Sequence, residues 1–429
     1  MPTPTETRAR QPERAALVSL VTPSARQTDP DVRLDELAGL ARAAGAEVVV
    51  RCVQERRSPD PATLLGRGKV ETLAAACAEA NASLIIVDND LTPAQVRNLE
   101  ARCGRRVIDR TELILDIFAQ RAHTREGQLQ VELAQLQYLL PRLAGSGLEL
   151  SRLGGGIGTR GPGETKLETD RRRIRQRIAS LKTDIADVAR RRTYVRARRR
   201  RADTPTVALV GYTNAGKTTL FNLLTGADAR ASHALFVTLD PLVRKLKSPG
   251  APAVRLSDTV GFIDRLPHQL VAAFHATLEE VAGADLLVHV VDASAPDRER
   301  REEAVQSVLR EVGAGEVPVI DVYNKVDRLP EAERERLRAI APQALQLSAR
   351  TGAGKDALLA AMAARLALQV DRIRLELDER READRRLVAE LYRHGRVVSH
   401  VSDHGRIEIE ADVPRRWRDR FSRAQQVPA

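Results

Sequence analysis

Nine residues beginning at Gly211, GYTNAGKTT, leave this chain little choice of fold around them. They stand directly behind the apolar run 207–210 and in front of a helical segment, 219–224. Strand, glycine turn and helix is the order in which backbone amides at a helix N-terminus can close around phosphate oxygens. Gly211 and Gly216 make the turn and Tyr212, Thr213, Asn214 and Ala215 form its rim. Lys217 brings a point charge to the outer phosphates, the Thr218 hydroxyl a magnesium ligand, and Thr219 opens the helix. Two similar strings fail the same test. GRGKV at 66–70 has Thr63 where the first glycine belongs and no hydroxyl after Lys69, and GAGKD at 352–356 fails at Ala349 and Asp356. Both read as turns leading into helices.

The partners of such a loop follow in the order the fold requires. A short strand at 254–256 ends in DTVG, where Asp258 is placed to hold magnesium through water and the Gly261 amide to meet a terminal phosphate. A strand at 317–323 delivers NKVD, in which Asn324 and Asp327, with Lys325 between them, grip a purine. Asp327 can accept from the ring nitrogen and amino group that guanine presents and adenine does not. The SAR string then brings Ser348 and Ala349 to the base edge. Between loop and DTVG, in HALFVTLDPL, Thr238 is the hydroxyl placed to complete the magnesium shell, in a segment expected to change order with loss of the terminal phosphate. The expected catalytic set is Lys217, Thr238 and Gly261, with magnesium on Thr218 and Thr238 and GTP and GDP as substrate and product. Phe262 stands where a Ras-like protein would place the glutamine that orients the attacking water. Asn214 lies in the phosphate loop at the position where some similar GTPases use asparagine to hold potassium between phosphates, a resemblance that makes it a candidate for that role.

The remaining residues divide around this centre. An α/β multidomain chain is expected: a small parallel α/β domain at 12–120, a long helical hairpin at 121–202, a mostly parallel sheet with helices on both faces at 203–369, and a small α+β domain at 370–429. Alternating apolar runs and helical patterns mark the first of these. In the second, apolar residues recur at helical spacing over 111–143, in one long helix or two consecutive ones. They recur again at Ile174, Ile178, Leu181, Ile185 and Val188, behind a cap at Thr169 or Asp170. A glycine-rich loop at about 144–169 separates the two. The tail reads as a strand, a helix, two strands and a short basic helix holding Trp417.

Charge narrows the partners. The chain carries a formal charge of +11, and 142–201 alone holds eighteen Lys and Arg against six Asp and Glu. With aromatic residues at 3%, any nucleic-acid surface must rest on basic side chains rather than stacked rings. Cys52, Cys77 and Cys103 have no metal spacing and read as reduced thiols. No run approaches the roughly 18 to 20 apolar residues of a membrane span, and the first residues lack the apolar centre of a signal peptide. A cytoplasmic monomer is expected, with peripheral membrane association left open and no DNA partner.

Long strings outside the nucleotide motifs resemble the HflX family of translation-factor-related GTPases. They are PDPATLLGRGKVETLA, DNDLTPAQVRNLE and VIDRTELILDIFAQRAHTREGQLQVELAQLQYLLPRL in the first part, GGGIGTRGPGETKLETDRR in the linker, and LFVTLDP and DTVGFIDRLPHQLVAAFHATLEE beyond it. The resemblance implies a factor that binds the large ribosomal subunit through ribosomal RNA, splits stalled or idle ribosomes under stress, and, with the family's apolar residue at Phe262, hydrolyses GTP slowly alone and faster on the ribosome. Leu242 departs from the threonine usual in the family after LDP. Two other readings compete: an RNA-remodelling, helicase-like enzyme whose first domain uses ATP, and an RNA-binding scaffold that keeps a nucleotide for stability.

Overall fold

Apolar residues fill both faces of strand β1 (Arg14–Val21), whose last seven positions are all buried. A strand of that kind belongs inside a parallel sheet covered by helices. It pairs in parallel with β2 (Glu47–Glu55) and β3 (Leu84–Val87), and β3 with β4 (Arg106–Asp109), in the order β2-β1-β3-β4. The computed structural model describes residues 12–23, 29–143, 166–200, 204–229, 235–236, 241–246, 254–264, 280–367, 370–414 and 421. The chain divides into two units. One is Met1–Ala189 with Arg230–Pro241 and Thr259–Leu278; the other is Arg190–Ala229 with Leu242–Asp258 and Glu279–Ala429.

In the first unit the crossovers are helices α1 (Pro30–Ala43), α2 (Arg67–Glu79) and α3 (Pro93–Cys103). The GRGKV string is, as expected, a turn into a helix, with Gly66 preceding α2. Thr92 and Gln95 cap α3 reciprocally, and Gly104 ends it in the left-handed conformation. Cys52, Cys77 and Cys103 are free and buried in the apolar core. Asp88, next after β3, is fully buried and holds two guanidinium groups, Arg33 at 2.8 Å and Arg110 at 3.0 Å. Arg110 also reaches Glu36 at 3.1 Å and donates to the Asp264 carbonyl at 3.3 Å. The Phe236 ring meets Phe118 edge-on, centroids 4.7 Å apart.

The region expected as one helix or two is two, α4 (Arg110–Arg121) and α5 (Arg125–Arg142). The break has a cause. Thr124 accepts from the Gly127 amide and starts α5 afresh. Helix α6 (Lys166–Arg200) is 35 residues long. It begins before Thr169 and Asp170, so neither is its cap. Lys166, Leu167 and Glu168 are strong helix formers and carry the helix three residues further back. On it Leu181 is fully buried against Leu129 and Leu133, with Ile178, Ile185 and Leu136 beside them. Arg177 grips Glu132 with two bonds, at 2.7 and 2.8 Å. Ile174 and Val188 are half-buried. Of the glycine-rich loop, 166–169 are helical, and 144–165 lie outside the described residues.

The second unit is built on six strands in the order β10-β9-β8-β5-β7-β6. These are β5 (Thr206–Val210), β6 (Leu242–Leu246), β7 (Val254–Asp258), β8 (Leu286–Asp292), β9 (Val319–Asn324) and β10 (Leu345–Gln346). All pairs are parallel except β6 with β7. Helices α7 (Lys217–Thr225), α8 (Arg298–Glu311), α9 (Glu331–Ile340) and α10 (Lys355–Ala367) accompany them. A three-stranded antiparallel sheet, β11 (Val370–Asp378), β13 (Arg406–Pro414) and β12 (Arg396–Asp403), packs Leu375 and Ile409 against Leu391 of α11 (Glu382–His394). The basic helix expected around Trp417 lies outside the described residues. Among the described residues no helix is long and apolar enough to cross a membrane.

Candidate functional site

The carboxyl end of β5 lies between β7 and β8, and the chain turns there into the loop and helix α7. Two glycines make that turn possible. A Cβ on Gly211 would stand 2.2 Å from the Val290 carbonyl oxygen, and one on Gly216 would stand 2.3 Å from Asn324 Nδ2. Gly216 also sits at φ +95, a region closed to most side chains. Asn214 adopts the left-handed region at φ +59 and is exposed at the tip. Tyr212, Thr213 and Ala215 are buried, with the Arg301 guanidinium 5.1 Å from the Tyr212 ring.

Lys217 is drawn into the loop it follows. Its ammonium donates to the carbonyls of Gly211 at 3.1 Å and Tyr212 at 3.0 Å, and burial pushes it down to about 8, with Lys325 adding to the fall and Asp258 opposing it. The Thr218 hydroxyl donates to Asp258 Oδ2 at 2.7 Å, which joins α7 to the end of β7. Thr219 is half-buried in the first turn of α7. The Thr213 hydroxyl is buried without a partner among the described residues, a polar atom suited to a ligand.

A second loop, after β9, is bonded to the first. Asn324 donates from Nδ2 to the Ala215 carbonyl at 2.8 Å and accepts at Oδ1 from the Ala349 amide at 2.9 Å. Lys325 donates to the Asn214 carbonyl at 2.7 Å. Asp327 is exposed, and one of its oxygens accepts from the Ser348 hydroxyl at 2.6 Å. The GAGKD string is a turn into α10, as expected, and also closes the loop of Ser348. Gly354 sits at φ +81, where a Cβ would stand 2.3 Å from the Gln346 carbonyl oxygen, and Ser348 donates its amide to Ala353 at 2.9 Å.

Lys217, Thr218, Asp258, Asn324, Lys325, Asp327, Ser348 and Ala349 are thus joined through hydrogen bonds among β5, β7, β9 and β10. Gly261 and Phe262 follow Asp258 closely in sequence, are buried, and belong to the first unit. Thr238 lies outside the described residues. Sequence reasoning missed Asp292, at the end of β8, whose Oδ2 takes the Lys325 ammonium at 2.7 Å. Its only signal was position: a carboxylate ending the strand beside β5.

Thr218 and Asp258 are hard oxygen donors of the kind magnesium takes, and two of them suit an ion that keeps water and phosphate oxygens in its shell. Among the described residues no group of three or more His, Cys, Asp or Glu could hold a metal.

Three family descriptions match the chain: "GTP-binding GTPase N-terminal" over 31–119, "GTP-binding GTPase Middle Region" over 121–199, and "50S ribosome-binding GTPase" over 206–325. A GTPase HflX of Caldanaerobacter subterraneus is 45% identical over 405 residues, which cover 94% of this chain and 92% of that one. One from Escherichia coli is 48% identical over 346 residues, covering 80% of this chain and 81% of that one. Among solved structures, the crystal structure of the SsGBP and GDP complex aligns with TM-score 0.48 at 24% identity, over 82% of this chain and 99% of that one.

Proposed function

This chain belongs to the HflX family of GTPases, and from that premise we propose that it hydrolyses GTP at the loop around Lys217 as a ribosome-associated factor that binds the large subunit and splits stalled or idle ribosomes under stress. GTP hydrolysis itself is the activity of the family. What supports the siting is one observation: Asn324 and Lys325 bond to the carbonyls of Ala215 and Asn214, so a phosphate cradle and a purine-reading loop form one continuous wall.

In this reading the amides of the Gly211–Thr219 turn and the dipole of α7 receive the phosphates. The Lys217 ammonium exchanges its two carbonyl partners for phosphate oxygens, where its charge offsets what develops on the transferred group. Asp327 reads guanine, with Ser348 steering its carboxylate and Ala349 at the base edge. Thr218, together with Thr238 and, through water, Asp258, would hold magnesium, which neutralises phosphate charge when bound. Gly261 offers its amide to the terminal phosphate. Phe262 can neither orient nor deprotonate water, so hydrolysis is slow until the ribosome supplies a group or a rearrangement.

The description "50S ribosome-binding GTPase" supports the large subunit as partner, and the arginines of α6 would supply charge for ribosomal RNA. The decisive experiment pairs GTP turnover, with and without purified large subunits, with sedimentation of assembled ribosomes in a non-hydrolysable GTP analogue. Stimulated turnover and free subunits are expected. Intact ribosomes would reduce the role to binding, and a requirement for ATP would overturn the siting. Asn214, exposed at the loop tip, is proposed to hold potassium; equal turnover in potassium and sodium with ribosomes present removes that part.

A further inference from the structure

Two loops that would hold opposite ends of a nucleotide are tied together by the Asn324 amide and by one ammonium group, and the carboxylate behind that ammonium has no place in the motifs. Lys325 stands at φ +65, a left-handed conformation that costs a non-glycine residue about 1 kcal/mol and persists where its surroundings hold it. Its Nζ donates to the Asn214 carbonyl and to Asp292 Oδ2, both at 2.7 Å. Asn214 is itself left-handed, at φ +59. The carboxylate is in turn fixed: Asp292 Oδ1 accepts from the amide of Ser294 at 3.0 Å and from its hydroxyl at 2.7 Å. The ion pair is sheltered, its side chains 13% and 12% exposed, so solvent and salt screen it less than a surface pair.

We infer that Asp292 is a positioning residue for nucleotide retention: through Lys325 it holds the phosphate loop and the base-reading loop in register, and it governs how slowly GDP leaves. The assignment rests on the siting proposed above. Asp292 supplies counter-charge to an ammonium whose other partner is a neutral carbonyl, and Ser294 keeps that carboxylate from turning away. Both sit at the carboxyl end of β8, the strand next to β5, so the anchor belongs to the sheet and not to either loop. Without it Lys325 keeps a single acceptor on a strained backbone, and the two walls of the site are left with the Asn324 bond to Ala215 and a weakened second tie.

The test uses the full-length chain loaded with a fluorescent GDP. Asp292→Asn keeps the shape and an acceptor for Ser294 while removing the charge. It is expected to speed GDP dissociation about 10-fold, as is Lys325→Met. The double variant should release GDP no more than about 2-fold faster than the faster single one, because one interaction is removed only once. Two independent structural lesions would instead multiply, to about 100-fold. That product, or an Asp292→Asn rate within about 2-fold of the parent, overturns the inference. If Asp292→Asn does not fold, Ser294→Ala takes its place, with faster release expected and an unchanged rate overturning the assignment. Asp327→Ala separates the two layers. If it leaves GDP retention intact the siting itself fails, whereas loss of retention there beside an unchanged Asp292→Asn rate sinks only the role of Asp292.

Discussion

Gly211 and Gly216 show how little room a phosphate cradle leaves. Each would put a Cβ within 2.3 Å of a neighbouring polar atom, Val290 O or Asn324 Nδ2, where no heavy atom can sit. Gly216→Ala is therefore expected to displace Asn324 and abolish GDP binding, measured by equilibrium dialysis; undiminished binding would contradict the geometry. Lys217 carries a pH signature. Its ammonium is lowered to about 8 in the folded chain from its ordinary 10.5. Burying the charge therefore costs stability below pH 8, and this group's contribution improves between there and 10.5, where the folded chain has shed a proton the unfolded one keeps. Phosphate oxygens favour the ammonium, so GDP binding near pH 8 should take up a fraction of a proton. Calorimetry in buffers of different ionisation heat reads this directly, and buffer-independent heat would refute it. The glycines and Lys217 were legible because a phosphate loop fixes its residues by spacing within one string. Asp292 was not, because a carboxylate ending a strand is commonplace and its partner Lys325 is brought to it only by the order of β8 and β9.

Elements were legible in proportion to their burial. The apolar runs of β1 and β3 and the stripe of α5 announced themselves, and the four-stranded sheet has the parallel form expected of alternating strands and helices. Strand β6 escaped, because LVRKL is short, carries two charges, and lies at the sheet's edge with Arg244 and Lys245 exposed. The start of α6 was misjudged because a capping residue is only a preference and the residues before Thr169 favour helix on their own account. Its seam is testable. Leu181 is fully buried between α5 and α6, so Leu181→Ala should cost about 2–5 kcal/mol in urea unfolding. A loss below about 0.5 kcal/mol, the level of an exposed site, would mean that the hairpin is not packed in solution. Asp88 makes the opposite kind of demand. Asp88→Asn leaves Arg33 and Arg110 buried without their shared counter-charge, an expected loss of about 3–5 kcal/mol by the same measurement.

For the molecule as a whole, the positive charge concentrated in 142–201 would set the terms of the proposed association with RNA. Binding to the large subunit should weaken by a factor of about 10 to 1,000 between 50 and 200 mM salt, and replacing four of the eight arginines in 190–201 by glutamine should flatten that slope. A salt-independent affinity would exclude an RNA contact through this segment. The bond from Arg110 to the Asp264 carbonyl carries a consequence of a different sort. Arg110 is committed to Asp88 and Glu36 and cannot leave without stranding buried carboxylates, whereas its bond to Asp264 ends on a neutral backbone carbonyl, an interaction of about 1 kcal/mol. The contact is a hook with a fixed post: whatever becomes of the Asp264 end, the Arg110 guanidinium stays where Asp88 and Glu36 hold it.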